Sequence, residues 1–198
     1  GEASDFQVEL LKIKQVTRDS NSNVASLGRE VFNVSRKLGV SSKELLSVGL
    51  TLGQAGRSIK EIKDSLGALA KTRLAATFGD ITDTVNALIA AQEQFKISSE
   101  DTEEVLGSIN VLSARYAVEA QDLTVAIQKA GGAFATLGKS TDKPKESLNE
   151  LLALFTAVRS TSRESADTIA TGLRTIFARL RRPKTISTLE AFGIDLKD

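Results

Sequence analysis

Three stretches of this chain carry residue types that could do chemistry: AFATLGKS (Ala133 to Ser140), the acids Asp101, Glu103 and Glu104, and the basic run RLRRPK (Arg179 to Lys184). AFATLGKS approaches a phosphate-binding loop, with alanine where the first glycine should be. Such a loop needs a preceding strand, a glycine-rich turn whose amides cradle phosphate, and a helix starting at the Lys-Ser pair. Leu123 to Leu137 instead has helical periodicity, and Ser140 opens a polar stretch containing Pro144. The expectation is a helix end capped by Gly138, with no nucleotide bound. The acids could hold a metal or move protons, but they follow Ser98 and Ser99 and fall in a first helical turn, where the helix dipole favours negative charge. RLRRPK places cations at the closing end of a helix, which the dipole also favours. Arg179, Arg181, Arg182 and Lys184 are candidate partner contacts. Nucleic-acid faces usually add interleaved aromatics or a broader basic surface. With one Tyr and no Trp, sequence-specific nucleic-acid reading is not expected.

Absent residue types narrow the field further. There is no Cys and no His, which removes thiolate nucleophiles, Cys-type zinc sites, the usual general base and Ser-His triads together. The expectation is a non-enzyme with no catalytic residue, no cofactor and no metal. The net charge of +1 produces no global field to steer the chain to a polyanion. The longest apolar run, LLALFTAV (Leu151 to Val158), is far short of the roughly 18 residues that suggest a membrane span. The opening GEASDF has neither a start Met nor a signal-peptide core, so the chain reads as a fragment of a longer protein.

The elements that must position these residues are helical almost throughout. Val24, Leu27, Val31, Val34 and Leu38 step by threes and fours, and so do Leu45, Val48, Leu52 and Ala55. Similar stripes run through Ile59 to Leu69, Ile81 to Phe95, Val105 to Tyr116, Leu123 to Leu137 and Leu148 to Val158. Ala166, Ile169, Leu173, Ile176 and Leu180 form another, with shorter stripes at Phe6 to Val16 and Ile186 to Phe192. No window alternates strictly as a strand would. The prediction is all-α: about ten short amphipathic helices in a bundle or helical array, with no sheet. Ser41 with Glu44 and Thr161 with Glu164 have capping-box spacing. Pro144 suits a first helical turn, and Gly39, Gly56, Gly79 and Gly138 fall where helices should end. The serine-rich stretch around Asn21 reads as a turn, and Gly131-Gly132 inside a helix as a close crossing or a kink.

One phrase recurs, in LGVSSKEL (Leu38 to Leu45), FKISSEDT (Phe95 to Thr102), YAVEAQDL (Tyr116 to Leu123) and FGIDLKD (Phe192 to Asp198). In each, an apolar residue precedes a small or polar step, then Val or Ile, then polar residues with an acid. The phrase reads as a helix start, with Val40, Ile97, Val118 and Ile194 stapling each new helix to the core. Two longer echoes, VSSKEL with VEAQDL and KDSLGALA with KESLNELL, are consistent with duplicated helix pairs around 40–74 and 118–158.

From Phe6 onward the text resembles the core region of phage tail tape measure proteins. The resemblance rests on LGREVFNVSRKLGVSSKELLSVGLTLGQAG, ALIAAQEQFKISSEDTEEVLGSI and YAVEAQDLTVAIQKAGGAF, and on the ending SRESADTIATGLRTIFARLRRPKTISTLEAFGID. The order of its closing part matches Ala170 to Leu180 followed by Leu189 to Ile194, although Arg179 to Lys184 is more basic than that family would lead one to expect. The resemblance implies a virion structural protein of a phage or prophage that sets tail length, scaffolds assembly of the tail tube and leaves the tail ahead of DNA. It implies self-association and contacts with tail tube, tail chaperone or baseplate proteins, in the tail lumen and, during assembly, in the host cytoplasm. A non-viral helical protein-binding module and a helical membrane-active segment are the competing readings.

Overall fold

Each helix begins and ends for a local chemical reason, and a single left-handed residue closes most of them. The computed structural model describes residues 1–74, 78–137, 143–181, 187 and 191–193. Among these residues there are nine α-helices and one short 3₁₀ turn, and no strand. The expectation of an all-α chain without a sheet holds. The short stripe from Ile186 to Phe192 falls mostly outside the described residues; Phe192 itself is 79% exposed.

The recurring phrase is a joint between helices. In all four copies the second residue has positive φ: Gly39 (70°), Lys96 (58°), Ala117 (52°) and Gly193 (79°). The left-handed residue ends one helix, the following Val40, Ile97 or Val118 is buried, and the next helix starts within two or three residues. Ile194 lies outside the described residues. At the best-defined joint the Gly39 amide donates to the Ser35 carbonyl at 2.8 Å, and the Ser35 hydroxyl donates to the Val40 carbonyl at 2.6 Å. Glycine adopts this conformation freely, whereas a side-chain-bearing residue there costs about 1–2 kcal/mol. Lys96 and Ala117 therefore hold strain that Gly39 does not. A fifth left-handed residue, Arg18, ends the first helix (φ 54°); the expected turn around Asn21 is confined to residues 18–20, because Asn21 already opens the next helix and Ser20 caps it, accepting from the Asn23 amide at 3.1 Å.

Some capping expectations need correction. Ser41 does precede its helix, but its side chain makes no capping bond; Glu44 instead pairs with Arg73 at 2.7 Å. Thr161 is the last residue of its helix, with its hydroxyl turned back to the Ala157 and Val158 carbonyls. The cap of the following helix is Ser165, which accepts from the Thr168 amide at 3.2 Å. Gly79 is not left-handed and lies just before a helix. Gly56 does end a helix: its amide bonds to the Gly53 carbonyl and that of Arg57 to the Leu52 carbonyl, both at 3.0 Å, the paired bonds of a Schellman motif. Pro144 opens its helix as expected, and Gly138 lies outside the described residues.

The chain forms two units. The first comprises Gly1–Val85 and Ser98–Leu106. In it α1 (Glu2–Thr17) lies along α3 (Ser42–Gln54), and α2 (Asn21–Leu38) packs on α4 (Ile59–Leu74). Gly49 and Gly53 let α1 approach closely: a Cβ at Gly49 would meet Ile13 at 3.3 Å, and one at Gly53 would meet Val16 at 2.9 Å. Ile13, Leu45, Leu52, Ile62, Leu66 and Leu69 fill the core. The 3₁₀ turn (Ser99–Asp101) is tied to α4, with the buried hydroxyls of Ser65 and Thr102 3.2 Å apart.

The second unit comprises Asn86–Ile97 and Gly107–Asp198. It takes in the later residues of α5 (Ile81–Phe95) and α6 (Thr102–Tyr116), then α7 (Ala120–Ala135), α8 (Pro144–Thr161) and α9 (Ala166–Leu180). α7 packs on both α8 and α9, most extensively on α9. Phe95, Phe134 and Phe177 form a chain of ring contacts, with centroids 6.4 Å and 5.1 Å apart. This chain sets the rotation of α9: the buried stripe is Ala166, Ile169, Ala170, Leu173 and Phe177, and the expected Ile176 is instead 53% exposed. Gly131 and Gly132 mark a close approach, as expected of a crossing, because the side chain of Gln94 lies over both.

Candidate functional site

The three stretches with chemical potential are placed as local helix structure. The helix preceding GKS runs to Ala135, Thr136 turns its hydroxyl to the Gly132 and Ala133 carbonyls, and residues 138–140 lie outside the described residues. No strand leads into it, so the upstream half of a phosphate loop is missing. The acids sit where the 3₁₀ turn enters α6. There Ser98 accepts from the Glu100 amide at 3.3 Å, Glu103 pairs with Lys71 at 2.7 Å, and Glu100 pairs with Lys60 at 3.2 Å. Among the described residues no three His, Cys, Asp or Glu side chains converge as metal ligands would. Arg179 is exposed in the last turn of α9 and Arg181 is exposed just beyond it. Arg182 and Lys184 lie outside the described residues.

Three described surface groups have perturbed ionisation, each with a structural cause. The Asp80 carboxyl is lowered chiefly by the Thr82 amide, which donates to it at 2.7 Å at the start of α5, with the Thr82 hydroxyl adding to the effect. Asp19 is lowered chiefly by the Asn23 side chain and then by the Ser20 amide. Lys60 is raised by its hydrogen bonds to Asp64 and Glu100. Each group secures a helix end or a turn, and none sits in an enclosed cleft.

What remains is surface: in the first unit an opening of about 390 Å³ lies between α3 and the start of α5, lined by Lys43, Glu44, Asp80 and Thr82, and two larger grooves run along α1. One groove, of about 570 Å³, has Phe6, Val8 and Leu46 as its apolar lining and Glu2, Asp5 and Glu9 along its edge, with Lys43 opposite. These acids recur at intervals of three and four, so they share one face of α1. Glu9 pairs with Lys12 at 2.8 Å. A second groove, of about 800 Å³, lies between α1 and α2, lined by Leu10, Leu11 and Phe32, of which Leu11 and Phe32 are more than half exposed. Sequence periodicity did not announce these grooves, because α1 carries apolar residues on more than one face and only Leu10 and Ile13 are buried.

The described residues thus present apolar grooves on the surface of the first unit. The family of phage-related minor tail proteins matches the chain over residues 28–198. The chain belongs to that family. As a minor tail protein it is a structural component of a phage tail, and the virion tail supplies its partners. No solved structure matches it. In this minor tail protein no helix among the described residues is long and apolar enough to cross a membrane.

Proposed function

We propose that this minor tail protein is the core region of a tape measure protein, a fragment of a longer chain that sets tail length while the tail tube assembles around it and that leaves the tail ahead of DNA. The family match over residues 28–198 carries this reading. The build of the chain supports it, since helices of 13 to 18 residues follow one another, and at Gly39, Lys96 and Ala117 a single left-handed residue joins one to the next. A helix advances about 1.5 Å per residue, so a chain of this kind converts residue number into distance once its helices are laid end to end. The partners on this reading are further copies of itself, the tail tube, tail chaperones and baseplate proteins. It works in the tail lumen, after assembly in the host cytoplasm.

The same reading takes α3–α4 and α7–α8 as duplicated pairs, so that length grows by repeating a unit. Burial at matched positions supports this. Val40 and Val118 are both 4% exposed and Leu45 and Leu123 both 0%. Ser65, Leu66, Leu69 and Ala70 are buried, as are Ser147, Leu148, Leu151 and Leu152 at the corresponding places. An in-frame deletion of Ser42–Leu74, the α3–α4 pair, tests the function in the parent phage. Tails measured by electron microscopy should shorten by about 50 Å at about 1.5 Å per residue. Tails of unchanged length would sink the proposal.

A further inference from the structure

We infer that the acid-edged groove on α1 receives the basic end of α9 from a second copy of this chain, giving a head-to-tail contact. It names the surfaces for the self-association proposed above and rests on those surfaces alone, so it can fail in solution while the deletion test of tail length succeeds.

The two surfaces are matched in charge. Between Glu2 and Glu9 there are three acids and no base, and between Arg174 and Arg181 three cations and no acid. Among the described residues Glu2 and Asp5 form no ion pair, because the only acid of this face that does is Glu9, with Lys12. Arg179 and Arg181 are likewise exposed cations with no ion pair among the described residues. The net charge of +1 hides this separation, and opposite charge on separate patches steers two molecules into one register.

The two surfaces are also matched in shape and polarity. Ile176 is 53% exposed because the Phe134–Phe177 contact turned α9 so that Phe177, not Ile176, entered the core. Ile176 and Arg179 are three residues apart and so share a face of α9, with Gly172 one turn earlier. A Cβ at Gly172 would meet nothing within 4 Å, so the helix surface beside Ile176 is low. The receiving groove offers the complement: Phe6 and the 48% exposed Val8 give an apolar seat, and Glu2 and Asp5 stand at its edge. An isoleucine seated between apolar side chains with arginine facing carboxylate is a small apolar core with a charged rim. The donor and receiving surfaces differ, so the contact is heterologous and can continue from copy to copy.

The test uses sedimentation velocity on the full chain over roughly 10 µM to 1 mM, the range in which a small interface associates. The wild type should associate, and the association should weaken as salt rises, since exposed charge pairs are screened. Glu2→Arg with Asp5→Arg, and separately Arg179→Glu with Arg181→Glu, should each weaken association about tenfold or more, with helical content and Tm unchanged in circular dichroism. Mixing the two variants should restore it, because each then presents the charge the other lacks. Ile176→Ser supplies a second readout, weakening association without changing its salt dependence. A wild type that stays monomeric throughout overturns the inference, and so does a mixture of the two charge variants that fails to associate.

Discussion

Glycine admits a close neighbour in both units, but the neighbours differ in stiffness from one glycine to the next. In the first, Gly49 and Gly53 sit one helical turn apart on α3, and the side chains that press on them are branched and stiff: Ile13, Val16 and Thr17 of α1. In the second, Gly131 and Gly132 are adjacent on α7; the pliable side chain of Gln94, whose buried Oε1 has no hydrogen-bond partner among the described residues, lies over both, and the buried Phe95 ring also presses on Gly131, 3.2 Å from where a Cβ would stand. Rigidity in the second unit comes from the aromatic chain Phe95–Phe134–Phe177. Glycine is thus a steric requirement at Gly53 on α3 and at Gly131 on α7, and a tolerated gap at Gly132, where a Cβ would meet only Gln94, at 3.5 Å.

The largest expected effect would remove what makes the second unit rigid. Phe177→Ala empties a site that is 5% exposed and should lower the unfolding free energy by about 3–5 kcal/mol in urea denaturation. A loss below about 1 kcal/mol would mean that α9 does not depend on this wedge. The next test is on α3. Gly53→Val brings a β-branched residue to within 2.9 Å of Val16 and should cost about 1–3 kcal/mol. Gly132→Ala should be nearly neutral or slightly stabilising by the same measurement, because its Cβ would meet only Gln94, at 3.5 Å, and alanine favours a helix by about 1 kcal/mol over glycine. Equal costs at the two positions would erase the contrast.

The joints give a smaller effect with opposite signs. Gly39→Ala forces a side chain into φ 70° and should cost about 1 kcal/mol, whereas Lys96→Gly relieves φ 58° and should raise stability by a few tenths to about 1 kcal/mol. Thermal denaturation of the two variants should move Tm in opposite directions. The smallest effect concerns the first unit. Asp19 and Asp80 are held below the ordinary aspartate value of 3.8 by amide and side-chain donors. Their stabilisation is therefore full above about pH 4 and is lost as pH falls through their lowered folded values. Asp80→Asn should flatten the loss of stability between pH 4 and pH 2. An unchanged acid limb would show that the Thr82 bond contributes nothing.

Much of this architecture was legible in the residues, and the failures share a cause. The stripe Val24, Leu27, Val31 and Val34 predicts the buried face because α2 has one apolar face. In α9 both Ile176 and Phe177 satisfied the periodicity, and the choice rested on Phe134, a residue distant in sequence. Thr161 and Glu164 had the right spacing for a cap, but Ser165 lay one residue beyond Glu164 and took the role. The left-handed conformation at Gly39 could be inferred from glycine; at Lys96 and Ala117 only the repeated phrase pointed to it. The cations Arg179 and Arg181 are visible in the sequence itself, whereas the groove beside Glu2 and Asp5 takes residues from three helices, and no local pattern encodes that.

Lys96 also governs how the chain meets a protease. It is an exposed lysine and so carries the chemical signature trypsin cuts, yet its neighbours Phe95 and Ile97 are only 2% and 5% exposed. The peptide bond cannot extend into an enzyme's cleft unless both neighbours leave the core, so cleavage there reports local unfolding and not accessibility. A joint this short leaves no loop to nick: the position that looks most vulnerable on the surface should be among the last that digestion opens.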